Sequence, residues 1–189
     1  MRVLVLPYDP AWPRRFEAIR AQLEAALQGV PLVGIEHVGS TSVPGLAAKP
    51  ILDIDVIVAA GQLGPAIAAL AAAGYEHRGE MGVPDRHAFF APDDGIQRNV
   101  YVTVDGCLSL RNHRGLRDLL RTDPALRDEY GVLKLRLSQR EYGDIEEYVA
   151  DKSELVQRIL AKAGLGEDDL AAIAAINLPG AVDVPPAGV

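Results

Sequence analysis

Cysteine is nearly absent from this sequence, with Cys107 as the single example among 189 residues. One cysteine excludes a disulfide within the chain and any metal site of the Cys-x-x-Cys type. A chain of this length buries roughly 70% of its unfolded surface when it folds, so it requires no such cross-link for stability. We therefore expect a reducing environment, with the cytoplasm as the simplest location.

Long apolar runs and an excess of basic residues are lacking as well. The N-terminal apolar run ends at Pro7, which is too short for a signal peptide or a membrane span. The net charge is −7 and the pI is near 5.1, whereas nonspecific binding to nucleic acid requires many lysine and arginine contacts with phosphates. We expect no membrane association and no nonspecific nucleic-acid binding, while a local basic site for one small anion fits this composition.

Hydrophobic periodicity predicts a mixed α/β (α+β) protein. Apolar residues at helical spacing, such as Trp12, Phe16 and Ile19, indicate helices, and short apolar runs bounded by turn residues indicate strands. Strands are predicted at residues 3–6, 32–38, 51–58, 87–91 and 96–104, and helices at residues 10–28, 61–74, 108–121, 124–140, 144–163 and 167–176. Asp123 before Pro124 is a typical N-cap followed by proline at the first helical position.

These elements predict one domain at residues 1–165. Residues 1–105 are expected to form a mixed β-sheet with flanking helices, and residues 106–165 a C-terminal helical bundle that packs beside it. The remaining residues, 166–189, are predicted to form a short helix and a loose tail.

Two carboxylates, Asp53 and Asp55, interrupt the apolar strand Ile51–Val58. Side chains alternate along a strand, so both acids lie on one face, roughly 7 Å apart. They could hold one divalent cation or two, and oxygen ligands favour Mg²⁺ or Mn²⁺. The alternative is a solvated edge or a pair of structural acids bound to lysine or arginine. Because Ile and Val flank the acids on both sides, we expect a central strand. Two acids on such a strand need a partner that compensates their charge.

A hydroxyl-rich turn, Gly39-Ser40-Thr41-Ser42, precedes this strand. Glycine permits a close approach of the backbone, so the turn could bind a phosphate through its N–H and hydroxyl groups. It is not a Walker A loop, because Lys49 does not directly follow Gly45. The alternative is an ordinary turn. A Gly-Ser turn followed by Asp-Ile-Asp on a strand resembles the nucleotidyltransferase superfamily related to DNA polymerase β, in which the turn holds the triphosphate and the acids hold its metals.

A narrower resemblance extends over most of the chain up to about residue 163. It is carried by PYDPAWPRRF (Pro7–Phe16), IEHVGSTSVPGLAAKPILDI (Ile35–Ile54), RNVYV (Arg98–Val102), RNHRGLRDLLRTDP (Arg111–Pro124), EYGVLK (Glu129–Lys134) and YVADK (Tyr148–Lys152). In these segments the sequence resembles the GrpB family, bacterial proteins with a nucleotidyltransferase-like fold whose biochemical activity is much less settled than the fold. Some relatives also resemble a domain attached to dephospho-CoA kinase, which implies a link to coenzyme A metabolism by association.

The sequence departs from the superfamily pattern at the third carboxylate of a transfer site. That acid normally lies on a later strand, as a metal ligand or as the base for the attacking hydroxyl. The predicted strand at residues 98–104 instead offers Asn99, Tyr101 and Thr103 on one face. Family members often carry histidines at the positions of Asn99 and Tyr101.

Several cations are candidates for phosphate contacts. Lys49 could reach a phosphate beside the acidic strand or could be a solvated loop lysine. Arg86 and Arg98 could form a bidentate phosphate clamp or surface ion pairs. His113 and Arg117 share a helix face and could contact an anion. For Arg117 we favour the alternative, an ordinary position on the helix surface.

Two predicted helices each carry a lysine four residues after a tyrosine. Lys134 follows Tyr130, and Lys152 follows Tyr148. Either each tyrosine packs in the core while its lysine extends to solvent, or both lysines contribute to a nucleotide site. His37, on the strand before the turn, is expected to be a hydrogen-bonded core histidine.

Together these residues predict a Mg²⁺-dependent protein that binds a nucleoside triphosphate and transfers a nucleotidyl group to an unidentified acceptor. Asp53 and Asp55 would hold the metal, and Gly39 to Ser42 would hold the triphosphate. The alternative is a non-catalytic accessory module that binds a nucleotide or a small phosphorylated metabolite. The absent third carboxylate favours this alternative, and the Asp-Ile-Asp strand favours the enzyme.

Overall fold

A computed structural model describes residues 1–93 and 95–176 of the chain. Within these residues the elements follow the predicted order closely, with five strands and six α-helices. The strands are β1 Gly34–Val38, β2 Leu52–Val58, β3 Glu76–His77, β4 Arg86–Phe90 and β5 Arg98–Val104. The helices are α1 Trp12–Ala26, α2 Leu63–Ala72, α3 Leu108–Thr122, α4 Pro124–Leu137, α5 Ile145–Lys162 and α6 Glu167–Ile176.

The strands form one mixed sheet in the order β1-β2-β5-β4-β3. Strands β2 and β5 pair in parallel, and the other three pairs are antiparallel. The acidic strand β2 therefore lies inside the sheet, as its apolar flanks predict, and the mixed α/β fold class is confirmed.

The two faces of the sheet have different chemistry. Ile54 and Val56 pack with Val100 and Val102 in a core that also includes residues of α1 and α2, such as Phe16. The opposite face carries Asp53 and Asp55, which the parallel register places beside Asn99 and Tyr101 respectively. One face thus supplies the hydrophobic core, while the other is polar.

The helical part forms its own core beside this sheet. Leu120 of α3, Tyr130 of α4 and Ile159 of α5 pack together around Leu46, which follows the glycine turn. Asp123 accepts a hydrogen bond from the Leu126 amide at 3.1 Å, which confirms the predicted N-cap. This packing fixes α3, α4 and α5 against the loop between β1 and β2.

Two details differ from the sequence-based expectation. Residues 3–6 do not join the sheet; Leu6 forms an isolated bridge with Ala48, and Val3 and Val5 pack in a small separate cluster. The two-residue strand β3 was not predicted, because it is too short to show periodicity. The predicted tail at residues 178–189 and position 94 of the predicted hairpin turn lie outside the described residues.

No helix among residues 1–93 and 95–176 combines the length and apolarity required to cross a bilayer.

Candidate functional site

The acidic pair of β2 is held by two specific hydrogen bonds. Asp55 is completely buried, and its Oδ2 lies 2.7 Å from Nδ1 of His113 on α3. Its other oxygen, Oδ1, is buried and has no hydrogen-bond partner among residues 1–93 and 95–176. Asp53 is half-buried and accepts a hydrogen bond at 2.7 Å from the Asn99 amide through Oδ1. Each carboxylate therefore has one oxygen engaged by the protein.

The pKa values of Asp53 and His113 depend on each other and on the charge of Asp55. Burial alone would lower the pKa of His113, but the charge of Asp55 and its hydrogen bond outweigh burial and raise it. Burial also raises the pKa of Asp53, against the Asn99 hydrogen bond and the charge of His113, while the charge of Asp55 raises it further. The partner of Asp55 is therefore His113, and not a lysine or arginine as the alternative interpretation proposed.

Gly39 brings the turn into direct contact with Asp53. The residue has φ of +66°, a conformation that glycine adopts without steric cost. A Cβ at this position would lie 2.1 Å from Oδ2 of Asp53, so no other residue fits without displacing the carboxylate. The predicted proximity of turn and acids is therefore present.

Only part of the turn faces the site. Gly39 and Ser40 line a cavity beside Asp53. The Thr41 hydroxyl donates to the Ile51 carbonyl and contacts Nε2 of His37, and the Ser42 hydroxyl donates to the Gly39 carbonyl at 2.6 Å. The expectation that Thr41 and Ser42 hydroxyls bind phosphate is therefore corrected, because both are buried and form the hydrogen bonds that shape the turn.

His37 is the core residue that its strand position predicts. Its ring is buried, stacks on Phe16 with 4.9 Å between ring centres, and hydrogen-bonds to Thr41 at 2.9 Å. Burial lowers the pKa of His37 to about 4, and the charges of Arg121 and Arg117 act in the same direction. The imidazole is therefore neutral at physiological pH.

Three lysines from separate parts of the chain converge on the cavity beside Asp53, which we name the lysine cavity. They are Lys49 from the loop before β2, Lys134 from α4 and Lys152 from α5. The volume is about 370 Å³. The other residues that line it are Gly39, Ser40, Ile51, Asp53, Asn99, Tyr101, His113, Tyr148 and Val149.

Lys134 does not extend to solvent as the alternative interpretation proposed. Its side chain is buried, with only 3% of the residue exposed, and Nζ has no hydrogen-bond partner within the described part of the chain. The amine lies 4.4 Å from the ring centre of Tyr130, and Lys152 lies 4.5 Å from that of Tyr148. Each tyrosine thus provides one wall against which a lysine amine is held.

Burial and mutual repulsion weaken the basicity of these lysines. Burial lowers the pKa of Lys134 well below 10.5, and the charge of Lys152 lowers it further. Burial together with the charge of Lys49 lowers the pKa of Lys152 to about 8. Burial also lowers the pKa of Lys49. In all three cases the negative charge of Asp53 opposes the effect, so a further anion in the cavity would favour the protonated amines.

The predicted clamp of two arginines does not form. Arg98 pairs with Leu52 in the ladder, so it lies on the face opposite to Asp53. Its guanidinium binds Asp93 at 2.6 Å and the Ile96 carbonyl at 3.0 Å. Its predicted role in phosphate binding is therefore wrong, for the physical reason that strand alternation directs it away.

Arg86 lies on the same face as the acids but in a neighbouring cavity, where its guanidinium covers the Tyr101 ring at 4.6 Å. Arg117 binds Glu36 and Asp118 at 2.7 Å each, in agreement with a structural role.

A third acid on the polar face was missed by the sequence analysis. Glu36 of β1 is the cross-strand neighbour of Asp55. Hydrogen bonds from Arg114 and Arg117 outweigh burial and lower the pKa of Glu36, and both arginines engage its carboxylate. Alternation along β1 could have identified this face, but not the two arginines from α3 that bind the acid.

The donor set limits the kind of metal site. No group of three or more His, Cys, Asp or Glu side chains in the described part of the chain could hold a metal ion. Asp55 nevertheless offers a buried carboxylate oxygen without a partner, and Asp53 lies beside it on the strand. Mg²⁺ commonly binds through one or two carboxylates together with substrate phosphates and water. The residues fit a cation of this kind, which requires a phosphate ligand to complete its coordination.

Comparison with known proteins identifies the family. The model of the family described as GrpB protein matches residues 2–162. The chain belongs to the GrpB family. A UPF0157 protein of Halalkalibacterium halodurans is 35% identical over 165 residues, which cover 85% of this chain and 82% of the relative. The crystal structure of GrpB from Enterococcus faecalis superposes with a TM-score of 0.74 at 33% identity, over 85% of this chain and 96% of that chain.

More distant matches concern the fold of this GrpB protein. Cid1 in complex with its short product ApU matches with a TM-score of 0.50 and 17% identity, over 68% of this chain and 41% of Cid1. This likeness confirms the nucleotidyltransferase-like fold. A dephospho-CoA kinase of Mycolicibacterium paratuberculosis is 31% identical over 179 residues, which cover 79% of this chain but 43% of the kinase.

Proposed function

We propose that this GrpB protein binds the phosphate groups of a nucleotide, or of a small phosphorylated metabolite, in the lysine cavity. The observation that carries the proposal is the convergence of Lys49, Lys134 and Lys152 on one cavity beside Asp53, in a chain whose net charge is −7. The protonated amines are costly here because they are buried and because their charges repel one another, and a bound polyphosphate offsets that cost. Gly39 and Ser40 supply the turn that closes the cavity on one side.

A divalent cation, Mg²⁺ or Mn²⁺, is proposed as part of the same complex. Asp53 and Asp55 would hold it through the oxygens not taken by Asn99 and His113, and the ligand phosphates would complete its coordination. When bound, the cation supplies neutralisation of phosphate charge during transfer. The hydrogen bonds from Asn99 and His113 orient the two carboxylates for this task.

The reaction proposed for this complex is transfer of a nucleotidyl group to an acceptor. An acceptor hydroxyl or amine forms a bond to the α-phosphorus, the bond from that phosphorus to the pyrophosphate oxygen breaks, and the acceptor proton passes to solvent. The three lysines stabilise the charge on the transferring and leaving phosphates. The arrangement of turn, acids and sheet supports this proposal.

A second candidate is a binding module without transfer. Asn99 and Tyr101 stand beside Asp53 and Asp55 on the neighbouring strand, and neither is an acid. Burial and the charge of Asp53 raise the pKa of Tyr101, so its hydroxyl stays protonated and is not available to take a proton from the acceptor. The match to part of a dephospho-CoA kinase supports an accessory role in coenzyme A metabolism for this second candidate.

Thermal unfolding with a panel of nucleotides, with and without Mg²⁺ or Mn²⁺, tests the proposal. Bound ligand raises the melting temperature, and we expect the rise to require the cation and to disappear in Asp53→Asn and Lys152→Gln. Lys162→Gln is the matched control, because Lys162 lies on the same helix as Lys152 and pairs with Asp123 instead. A panel without any cation-dependent rise would contradict nucleotide binding through a metal. Incubation with α-labelled nucleotides then separates the candidates, because only a transferase labels an acceptor.

A further inference from the structure

A second cavity adjoins the lysine cavity and shares three of its residues. Lys49, Asn99 and Tyr101 line both. We name the second one the arginine cavity; its volume is about 260 Å³. This is below the roughly 300–1,000 Å³ of typical ligand sites, so it accepts a small molecule or one end of a larger one. Its other lining residues include Arg78, Met81, Arg86, Phe90 and Ile145.

Among the described residues, the charged side chains of the arginine cavity are all positive. They are Lys49, Arg78 and Arg86, and none of the described lining residues is acidic. Arg78 is neutralised by Glu76 at 2.6 Å and covers the Phe90 ring at 4.7 Å. Met81, Phe90 and Ile145 supply apolar surface beside the cations. The composition suits an anion attached to an apolar body.

Arg86 is an arginine of this cavity without an ion-pair partner in the described part of the chain. Its guanidinium lies over Tyr101 at 4.6 Å, its Nε is buried, and that atom has no hydrogen-bond partner among the described residues. Within the described residues no carboxylate forms an ion pair with Arg86, whereas Arg98 on the opposite face of the sheet binds Asp93. A half-buried guanidinium whose Nε–H has no acceptor is costly, and a carboxylate or phosphate satisfies its planar set of donors.

The position of Arg86 indicates where a ligand bound through its anionic group would lie. Asn99, which donates to Asp53, stands on the wall between the two cavities. A molecule anchored by Arg86 would therefore extend from the arginine cavity toward Asp53. We propose that the arginine cavity is the acceptor subsite, and that Arg86 binds a carboxylate or phosphate group of a small acceptor with an apolar body. This inference rests on the proposed function, because it assigns the acceptor of that reaction.

Matched aromatic probes test the subsite. Benzoate and phenyl phosphate carry the proposed anion on an apolar ring, and benzamide is the neutral counterpart of benzoate. Binding is measured by NMR titration of the protein, including the Nε–H signal of Arg86. We expect benzoate and phenyl phosphate to bind and to shift this signal, and benzamide to bind at least about tenfold more weakly, as for loss of a charge-assisted hydrogen bond.

Variants assign the binding to Arg86. Arg86→Gln should weaken benzoate binding about tenfold or more, and Arg86→Lys, which keeps the charge but loses the planar donors, should weaken it less. Arg14→Gln, at an exposed position on α1, should leave it unchanged. Equal binding of benzamide and benzoate, or unchanged benzoate binding in Arg86→Gln, would overturn the assignment.

Pyrophosphate with Mg²⁺ separates this inference from the function it rests on. We expect pyrophosphate binding to be lost in Lys152→Gln but retained in Arg86→Gln, and benzoate binding to show the reverse. If benzoate binding is lost equally in both variants, the arginine cavity is not a distinct subsite. If pyrophosphate does not bind the wild type while benzoate binds through Arg86, the phosphate proposal fails and the anion subsite stands.

Discussion

Gly39 and Asp53 are so close that a side chain at position 39 would overlap the Asp53 carboxylate. The Cβ of an alanine would lie 2.1 Å from Oδ2. The turn and the acidic strand are therefore one unit, whose geometry depends on the absence of a side chain. Because the carboxylate is also hydrogen-bonded to Asn99, it cannot move away without losing that bond.

Gly39→Ala is expected to damage both stability and ligand binding. The positive φ alone costs about 1–3 kcal/mol for a residue other than glycine, and the overlap with Asp53 adds to it. Gly29→Ala is the matched control, because Gly29 has φ of +89° and an alanine Cβ there would meet no atom within 4 Å. Urea unfolding and nucleotide-dependent melting of both variants measure the difference. Equal losses would show that the contact with Asp53 is unimportant.

Lys134→Met is expected to stabilise the free protein while removing phosphate binding. The variant replaces a buried amine that lacks a hydrogen-bond partner, which we expect to increase the free energy of unfolding by about 1–3 kcal/mol at neutral pH. Urea unfolding and pyrophosphate titration provide the two measurements. Lys162→Met, at an exposed position, controls for the general effect of removing a lysine.

The advantage of Lys134→Met should shrink as the pH rises. Burial lowers the folded-state pKa of Lys134 below 10.5, so near neutral pH the unfolded chain binds more protons than the folded one. Stability of the wild type relative to the variant must then increase with pH until the unfolded lysine also loses its proton, near 10.5. A difference that stays constant between pH 7 and 10 would contradict the lowered pKa.

Phosphate binding is expected to weaken above about pH 8. Burial and the charge of Lys49 lower the pKa of Lys152 to about 8, so its positive charge is present below this pH and lost above it. Calorimetric titration with pyrophosphate at several pH values measures the affinity, and buffers of different ionisation enthalpy report the protons taken up. Lys152→Arg keeps its charge, so its affinity should fall less steeply between pH 7.5 and 9. Binding without proton uptake near pH 8 would contradict a role for Lys152.

His37 is expected to make the fold sensitive to acid. Its pKa is about 4 in the folded protein and 6.5 as a free side chain, so the unfolded state takes up a proton first as the pH falls. The stability due to neutral His37 is complete above pH 6.5 and is lost progressively down to about pH 4, up to about 3 kcal/mol. Urea unfolding of the wild type and His37→Gln at pH 7 and pH 4.5 measures this. Parallel losses in the two proteins would assign the sensitivity to other groups.

Local patterns predicted the elements and part of the site. Alternation placed Asp53 and Asp55 on one face, and the apolar flanks predicted an interior strand, as the sheet order shows. The same rule could have placed Arg98 on the opposite face and removed it from the candidates. Thr41 and Ser42 could not be judged in this way, because the hydroxyl of a turn residue serves either a ligand or the turn itself, and the sequence is the same in both cases.

What the sequence determined by itself was most of the helices and strands, the fold family and the chemistry of single strands and turns, because these depend on neighbours within a few residues. Only the tertiary structure decided that His113 binds Asp55, that two arginines bind Glu36, and that three lysines meet beside Asp53. These contacts join residues far apart in the chain. Their charges and pKa values depend on burial and on distances that helix packing sets, which periodicity does not encode.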